Sequence, residues 1–581
     1  PVTWNGTYYN RAMYVNTGLW SFSSTPITVS LGIPTWYADT DGDGLGEPGT
    51  GTPSCSQPAG YVSNNLDQCA GQHGQGSDTG CPVPIALSNE NYVYSITPRV
   101  EVTHINQLAT DNDALRNVTY FDGRGRKMQS VAIRQSPNKK DIVAYFEYDP
   151  AGREAKTYLP YQASDNNGSI KIDPKDAILQ HYQTHYPKDF VGSYADDMNP
   201  YSEVAFEEHS LSRPIMQAAP GHDWKLENGH EVKIEYGLNT AYDAIKLYDV
   251  SLDANFNPTL NLGIGLQTIY ADGTLFKTVT KDENWTFADG VNKTSEEFKN
   301  MNGQVVLKRN YDNNQPHDTY YIYDDFGNLS FVLPPKASDV TITPTILDEL
   351  CYQYKYDHRN RLSEKKIPGK DWEYMVYDKL DRPVLTQDGL QRQQNKWLYT
   401  KYDKLGRIAY SGEYTNNAVI GQVNMQNEFD DENNVPSKLF ENPISSQSNL
   451  NINYENNNFP NTNVELLSVN YYDSYTELPI GFTAPTSVYD QSIKTTTQGL
   501  STVTKVKVLD PSAGTGQTHW ITSVTYYDQK NRPIYLYATN DYLQTTDIVE
   551  TKLDFIGKVL ETTSTHHKQC QNDIVIIDRF E

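Results

Sequence analysis

The sequence has no run of Lys and Arg, and no stretch that approaches the roughly 18 consecutive apolar residues of a transmembrane helix. Its net charge at pH 7 is −25. Because nucleic-acid binding needs clustered positive charge to neutralise phosphates, the composition argues against a nucleic-acid partner. The lack of a long apolar stretch argues against a membrane-spanning segment. Acidity of this degree is typical of an exported protein that charge keeps soluble.

Apolar residues are scarce as well, at 37% of 581 residues, yet the chain contains 43 Tyr. A low apolar content predicts disorder only where aromatic residues are also few. Tyr buries a large ring while its hydroxyl keeps a polar partner. We therefore expect a folded, polar, β-rich protein, which at this length forms several domains or a repeat array.

Cysteine is rare, with five residues in the whole chain. Three of them lie close together, at Cys55, Cys69 and Cys81. This cluster favours a local disulfide in an oxidising compartment, and which two of the three pair stays open. Zinc is a weaker alternative, because there is no Cys-x-x-Cys and only one His nearby. Cys351 and Cys570 are isolated, and we expect both to be plain buried residues.

The most informative feature is a short motif, Tyr-Asp followed three positions later by Gly-Arg, that recurs along the chain. Copies begin at Tyr148, Tyr323, Tyr356, Tyr377, Tyr402 and Tyr527, four of them with Asn or Asp in place of the Gly or the Arg, and looser copies begin at Tyr120 and Leu553. A motif repeated this often describes architecture before it describes chemistry.

Each copy reads as a β-hairpin. Residues 352–356 alternate Tyr with polar residues, the pattern of a half-buried strand. Asp357 then starts a turn, because its carboxylate can accept hydrogen bonds from backbone N–H groups two residues on. Gly152 supplies the left-handed conformation that such a turn needs, and Asn360 replaces it in another copy. Since isolated hairpins are marginally stable, the units must pair edge to edge into a long, curling antiparallel sheet.

Two segments interrupt this pattern with short helices, one within Asp173–Tyr182 and one within Thr345–Cys351. Residues Thr415–Pro460 are dense in Asn, Gln, Glu and Asp, and read as a long surface excursion or a mobile loop.

The repeats resemble the YD repeats of RHS proteins, and the segments Tyr120–Gly123, Thr319–Leu329 and Val332–Pro335 are similar to RHS proteins of Bacteroidota in particular. The resemblance covers roughly residues 90–581. It implies a hollow β-shell that encloses a C-terminal polypeptide, often a toxin. The chain starts at Pro1 without a leader and stops at Glu581 in mid-repeat, so we expect a piece of a longer protein whose passenger lies further on.

One constellation carries chemistry, and it lies in residues 39–47. Carboxylates at alternate positions, a Gly at the sixth and a carboxylate at the ninth match most of a calcium loop, in which alternate oxygens converge on a hard cation. The predicted ligands from this spacing are Asp39, Asp41, Asp43, the carbonyl of Leu45, and Glu47. Glycines at 42, 44 and 46 permit the curvature. Thr50 replaces the bidentate Glu of an EF-hand, and no helix-like sequence flanks the loop.

The segment is more similar to the thrombospondin type 3 repeat, in which Asp-rich loops bind calcium without helices. Asn64–Cys69 and Cys69–Pro82 match the following parts of such repeats, so the resemblance covers about residues 35–83. It implies Asp67 as a further ligand and a disulfide-closed stretch. The Ca²⁺ is expected to be structural, ordering a segment with little apolar core. The alternative is a solvated acidic turn without metal.

We therefore expect a mainly β protein in three regions: the end of a β-rich domain (1–34), a calcium-binding, disulfide-containing linker (35–83), and an RHS-type shell wall (84–581), incomplete at its C-terminus. The predicted function is a secreted or cell-surface structural protein that encapsulates or displays its own C-terminal passenger and uses a bacterial export machinery. The alternative is a surface adhesin that binds glycan or protein through its Tyr-rich sheet. No catalytic constellation supports an enzyme.

Overall fold

The computed structural model describes most of the chain. It covers residues 34–40, 42, 44–68, 84–100, 102, 108, 111, 113–187, 199–419, 421–431, 439–509 and 518–580, and the backbone of residues 6–8, 11–13, 20–22 and 27–29. The chain divides into two compact units. The first comprises residues 1–203 and 219–225, and the second residues 204–218 and 226–581.

Strands dominate both units. Those that begin in the first unit are β1 Gly6–Tyr8, β2 Arg11–Met13, β3 Trp20–Phe22, β4 Ile27–Val29, β5 Thr35–Ala38, β6 Thr52–Pro53, β7 Tyr61–Val62, β8 Asn91–Pro98, β9 Ala114–Phe121, β10 Lys127–Ile133, β11 Ile142–Glu147, β12 Lys156–Tyr158, β13 Tyr161–Gln162 and β14 Tyr201–Phe206. Those of the second unit are β15 Pro214–Ala218, β16 Val232–Leu238, β17 Tyr248–Leu252, β18 Pro258–Leu262, β19 Phe276–Lys281, β20 Thr294–Lys299, β21 Val305–Asp312, β22 Gln315–Tyr323, β23 Leu329–Leu333, β24 Tyr352–Tyr356, β25 Leu362–Lys366, β26 Glu373–Tyr377, β27 Pro383–Gln387, β28 Lys396–Tyr402, β29 Ile408–Thr415, β30 Val464–Asp473, β31 Ser487–Val488, β32 Gln491–Ser492, β33 Thr497–Lys507, β34 Trp520–Tyr527, β35 Pro533–Asn540, β36 Thr545–Leu553, β37 Val559–Lys568 and β38 Ile574–Arg579.

Helices are few and short. The α-helices are α1 Pro174–His185 in the first unit, and α2 Pro335–Ser338, α3 Pro344–Leu350, α4 Gly389–Gln393 and α5 Gln422–Asp430 in the second. Single 3₁₀ turns span His222–Trp224, Ala241–Asp243 and Phe287–Asp289. The two helices predicted from the sequence are confirmed as α1 and α3. Among the described residues, no helix is both long and apolar enough to cross a membrane.

In the first unit, β8, β9, β10 and β11 pair in sequence order as antiparallel neighbours. Strand β11 pairs with both β12 and β13, and β12 pairs with β14. A separate three-stranded sheet, in the order β6-β5-β7, precedes them. The backbone strands β1 with β4 and β2 with β3 form two further pairs.

In the second unit, strands pair in chain order from β15 to β38, each antiparallel to the next. Only the two small hairpins β17–β18 and β31–β32 stand outside this order. The predicted antiparallel sheet of stacked hairpins is therefore confirmed.

The turn of each repeat is held by the carboxylate of its Asp. In the copy at Asp403, Oδ1 accepts hydrogen bonds from the backbone N of Leu405 (2.8 Å) and of Arg407 (2.9 Å). Oδ2 accepts from Nε of Arg407 at 2.6 Å. The same pattern of two backbone donors and one side-chain donor occurs at Asp122, Asp324, Asp357, Asp378 and Asp528. One residue thus satisfies the donors of the turn and fixes the ion pair that follows it.

The fourth residue of each turn adopts the left-handed conformation, as predicted. Its φ is +79° at Gly406 and +83° at Gly152 and Gly327. Asn360 (+58°), Asn531 (+66°) and Asp381 (+60°) take the same conformation without being Gly. A type I turn followed by a left-handed residue is a standard three-residue hairpin connection with a bulge. A register shift accordingly falls at the residue before the turn, at Tyr323, Tyr356, Tyr377, Tyr402, Tyr527 and Leu553.

Asp381 has a role that its poor fit to a left-handed position does not reveal. Its carboxylate accepts hydrogen bonds from Nη2 of Arg359 (2.9 Å) and Nη1 of Arg361 (2.8 Å), both in the preceding turn. The left-handed conformation of Asp381 costs some backbone strain, and its two hydrogen bonds link neighbouring hairpins.

Tyr and Arg connect each repeat to the next. The hydroxyl of Tyr377 donates to the carbonyl of Leu362 (2.7 Å), the residue after Arg361, and the guanidinium of Arg361 lies 4.8 Å from the Tyr377 ring centroid. The next pair repeats this, since Tyr402 lies under Arg382 at 4.3 Å and donates to the residue that follows it. The motif therefore encodes both a turn and the contact between turns.

Hydrogen bonding also lowers the pKa of three turn carboxylates, those of Asp122, Asp149 and Asp357. Burial alone would raise the pKa of Asp357, but the hydrogen bonds from the side chain and backbone of Arg361 hold it below its ordinary value. The pKa of Asp122 is likewise lowered, chiefly by the backbone N–H of Arg126. Because these values lie below those of the unfolded chain, the stabilisation is present at neutral pH and is lost as pH falls through the folded-state pKa.

Two further turns of this type lack the sequence signature. Asp253 accepts hydrogen bonds from the backbone N of Asn255 and of Asn257, both at 2.8 Å, and from Nδ2 of Asn257 at 2.9 Å. Asn300 accepts from the backbone N of Asn302 and of Gln304, both at 3.0 Å. Neither copy contains the Arg: Asn257 replaces it in the turn at Asp253, which keeps its carboxylate, whereas Asn300 and Gln304 replace both the Asp and the Arg in the other turn.

One face of the sheet carries the core in each unit. In the first unit, Val118 and Tyr120 of the sheet pack with Ile178 and Tyr182 of α1. In the second unit, one cluster joins sheet residues to Val250 of the β17–β18 hairpin and to residues of the α2–α3 segment. A second cluster, around Trp397, Tyr399 and Tyr410, is covered by described residues of the two connections that follow β29 and β30, among them Met425, Tyr454 and Phe482.

The composition of Thr415–Pro460 predicts a long surface excursion or a mobile loop, whereas the described part of this connection between β29 and β30 packs into the core. Met425 and Phe429 of α5, with Ile452 and Tyr454, are buried in the core cluster. The composition of the segment did not indicate this burial, because many polar residues surround the few apolar ones.

A buried ion pair fixes the same connection to the sheet. Nζ of Lys401 on β28 lies 3.2 Å from Oε1 of Glu441, and both side chains are almost fully buried. Burial lowers the pKa of Lys401 to about 8, although the Glu441 carboxylate favours the charged form. Backbone N–H groups of Asn457 and Asn458 also donate to Glu441, so this carboxylate is well satisfied.

Replacing the turn carboxylate should destabilise the second unit. Asp403→Ala removes three hydrogen bonds, one of them charge-assisted, and we expect a loss of about 2–3 kcal/mol in the free energy of unfolding. Urea unfolding followed by Tyr and Trp fluorescence measures it. The matched control is the exposed neighbour Lys404→Ala, expected within about 0.5 kcal/mol of the unsubstituted chain. Equal midpoints for the two variants would contradict the role of the carboxylate.

Candidate functional site

The Asp-rich loop at residues 39–47 begins where β5 ends, in the three-stranded sheet of the first unit. At its base, the N–H of Glu47 donates to the carbonyl of Ala38 (2.8 Å), and the N–H of Asp39 donates to Gly60 (2.9 Å). The hydroxyl of Thr50 accepts from the N–H of Ala38 at 2.9 Å. The strand thus closes the loop at both ends.

Asp39 organises the interior of the loop. Its Oδ1 accepts from the N–H of Gly42 (2.9 Å) and its Oδ2 from the N–H of Gly44 (3.1 Å). Gly42 and Gly44 have φ of +77° and +88°, so the curvature expected from these glycines is present. Gly46 serves a different purpose, because a Cβ there would lie 2.2 Å from the carbonyl oxygen of Asn64.

A second segment, residues 64–67, lies against this loop. Oδ1 of Asn64 accepts from the N–H of Gly46, and its Nδ2 donates to the carbonyl of Gly44, both at 3.0 Å. The N–H of Asp67 donates to the carbonyl of Gly46 at 3.0 Å, and Asp67 is only 1% exposed. Asp67 therefore lies beside the loop, although some twenty residues separate the two in the sequence. The sequence had predicted it as a further ligand. The bridging role of Asn64 was not foreseen, and its only sequence signal was the Asn pair at 64–65.

The predicted ligand set is described in part. Asp39, Leu45, Glu47 and Asp67 lie in the described residues, whereas Asp41 and Asp43 lie outside them. Within the part of the chain that the structure describes, no group of three or more His, Cys, Asp or Glu side chains is arranged to hold a metal ion. The donors offered are carboxylate and carbonyl oxygens, which suit a hard cation. The calcium site stays a prediction.

The cysteines divide differently from the expectation. Cys55 is an exposed free thiol, and Cys69 and Cys81 lie outside the described residues. Cys351 is buried as expected, and burial raises the pKa of its thiol to about 11. Cys570 is exposed, so the expectation of a buried residue is wrong there: it lies at a turn, with φ of +63°.

The second candidate surface is the Tyr-rich sheet itself. The repeat tyrosines are only partly exposed, and their hydroxyls are bound to the neighbouring strand, as at Tyr356 (3.0 Å to Leu329 O) and Tyr527 (2.6 Å to Ser501 O). Among the described residues of the second unit, the tyrosines classed as exposed are Tyr242, Tyr352 and Tyr542. The rings are therefore used mainly within the sheet, and few are presented to solvent.

Comparison with known proteins gives a partial match. A family model described as a domain of unknown function, DUF6443, matches residues 94–238. No curated protein matches the chain. The crystal structure of TcdB2-TccC3-TEV is similar at a TM-score of 0.43 and 14% identity, over 87% of this chain and 21% of that one.

Two further solved structures are similar to the same degree. The crystal structure of TcdB2-TccC3 has a TM-score of 0.42 and 14% identity, over 80% of this chain and 19% of that one. A structure of the Photorhabdus luminescens Tc holotoxin pore has a TM-score of 0.40 and 14% identity, over 81% and 19%. The chain spans about a fifth of the length of these structures.

Proposed function

We propose that this chain is a structural wall of a secreted or cell-surface protein, and that its hairpins enclose or display a C-terminal polypeptide passenger, such as a toxin. The observation that carries the proposal is the chain-order pairing of one sheet from β15 to β38, apart from the hairpins β17–β18 and β31–β32, with the same carboxylate-held turn repeated along it. A sheet built in this way can be extended by adding further hairpins, and its construction does not require an active site.

The use of the aromatic side chains supports a wall over an adhesin. Tyr377 and Tyr402 contribute their rings and hydroxyls to the contact between neighbouring hairpins. A glycan- or protein-binding surface would instead present contiguous aromatic rings to solvent. The RHS-like repeats add the expectation of a passenger and of a bacterial export machinery as partner.

Protection from protease tests the enclosure. The natural full-length protein would be treated with trypsin, with and without urea, and the peptides from residues after 581 would be followed by mass spectrometry. We expect these peptides to appear only when the wall is unfolded. Equal cleavage in native buffer would contradict enclosure, and a native protein that ends near Glu581 without a passenger would favour the adhesin.

We also propose that the loop of residues 39–47, with Asp67, binds a structural Ca²⁺. Three features support it: the alternate carboxylates of the sequence, the left-handed glycines that bend the loop, and the buried Asp67 beside it. A bound cation would offset the negative charge of a segment whose sequence has alternate carboxylates and little apolar core. Asp39, Asp41, Asp43, Leu45, Glu47 and Asp67 would supply its oxygens.

Calcium should protect residues 35–83 from protease, because a ligand that binds only the folded loop stabilises it. Asp41→Ala with Asp43→Ala should abolish that protection and leave residues 226–580 intact. Glu90→Ala, an exposed acidic residue outside the loop, is the matched control. Cleavage of the unsubstituted protein at the same rate in Ca²⁺ and in chelator would rule the site out.

A further inference from the structure

A polar cavity of about 270 Å³ lies in the second unit, outside the features already assigned. One side is formed by Tyr248 and Tyr270, from the segment that carries the β17–β18 hairpin. The other side is formed by the end of β22 and by the turn at residues 300–304. This volume is at the lower end of the range of small-molecule sites, about 300 Å³, and suits a ligand of one or two rings.

The aromatic side of the cavity is fixed in place. The Tyr248 ring packs edge-to-face on Tyr320, with centroids 5.1 Å apart. The Tyr320 hydroxyl in turn accepts a hydrogen bond from the N–H of Lys246 (3.2 Å), and the N–H of Tyr270 donates to the carbonyl of Ile245 (3.0 Å). The packed ring of Tyr248 offers a ligand apolar contact at little entropic cost.

The phenol groups of this side are also neutral donors. Burial raises the pKa of Tyr248 to about 12 and also raises that of Tyr270. Their hydroxyls make no hydrogen bond with other described residues, although both side chains are partly buried.

The opposite side is the turn in which amides replace the Asp and Arg of the repeat. Asn300 and Gln304 bond to each other at 2.9 Å, and Nε2 of Gln304 reaches the carbonyl of Gly327 at 3.3 Å. The side chain of Asn302 is exposed and bonds to no described residue. An amide both donates and accepts, so it can bind two adjacent hydroxyls at once.

Most charged side chains that line the cavity already form hydrogen bonds within the protein. Asp324 holds its own turn through the N–H groups of Phe326 (3.0 Å) and Asn328 (2.8 Å). Nζ of Lys246 donates to the carbonyl of Ser338. Asp325 is exposed at the rim. Lys246 is the cation among the described lining residues, and its ammonium is directed to the Ser338 carbonyl.

We propose that this cavity binds a neutral saccharide. The Tyr248 and Tyr270 rings contact the apolar face of a sugar, and Asn302 with the two phenol hydroxyls bonds to its hydroxyl groups. A hydrocarbon ligand would leave these polar groups without partners, and an anionic ligand would meet Asp325 at the rim, while the ammonium of Lys246 is directed to Ser338.

Saturation-transfer NMR with the intact chain tests the site, with glucose, galactose and N-acetylglucosamine as probes and glucuronate as the charged comparison. We expect at least one neutral probe to bind at concentrations on the order of 10 mM. Asn302→Ala and Tyr270→Phe should each weaken that binding about tenfold, since each removes a hydrogen-bonding group from the ligand.

Tyr242→Phe is the matched control, because Tyr242 is 99% exposed and lies outside the cavity. It should bind the probes as the unsubstituted chain does. Asn302 is on the surface, so its substitution leaves the fold intact even if Tyr270→Phe perturbs packing. Absence of transfer from all three neutral probes, equal binding of glucuronate, or unchanged binding by Asn302→Ala would overturn the proposal. None of these outcomes depends on a passenger.

Discussion

The fold depends on one interaction, the hydrogen bonding of each turn by the carboxylate of its Asp, which accepts three hydrogen bonds in six of the repeats. A hairpin must reverse the chain within a few residues, and doing so leaves backbone N–H groups without strand partners. At Asp403 a single side chain satisfies two of them and anchors Arg407 as well. The stacked sheet follows from applying the same solution at turn after turn.

The second constraint is that neighbouring hairpins must hold together when the chain is poor in apolar residues. Tyr solves this, because its ring packs under the Arg of the preceding turn while its hydroxyl binds that turn's backbone. The abundance of Tyr in an otherwise polar chain has therefore a structural cause. Because the Tyr rings and hydroxyls are used between hairpins, few of them are left to contact a binding partner. For this reason we propose a wall in preference to an adhesin.

The departures from the repeat are the places where other functions can arise. Where Asn300 and Gln304 replace Asp and Arg, the turn keeps its geometry, but its side chains are neutral and one of the neighbouring amides stays exposed. The proposed saccharide cavity lies at that turn. At Asp381 the departure strengthens a contact between hairpins instead.

The sequence predicted the hairpins, the left-handed turn residues and two of the helices, because each depends on local residue types with few alternatives. It did not predict the turns at Asp253 and Asn300, whose shared feature is a hydrogen-bond pattern that several side chains can make. It also misjudged the connection after β29, because burial of Phe429 and Ile452 depends on the distant sheet that they cover. In the acidic loop, the spacing of the carboxylates was enough to predict the role of Asp39. The hydrogen bonds of Asn64 to the loop could not be predicted, because they depend on a contact between two segments that no local pattern encodes.

Hydrogen exchange of the turn amides tests the central claim most directly. If the carboxylates hold the hairpins, the N–H groups of Leu405 and Arg407, and their equivalents in the turns at Asp357, Asp378 and Asp528, are protected as strongly as the flanking strands. In the turn at Asp357, whose pKa is lowered in the folded chain, that protection should weaken as pH falls through this pKa, once the intrinsic pH dependence of exchange is taken into account. Turn amides that exchange at the rate of an open loop, next to protected strands, would contradict the account.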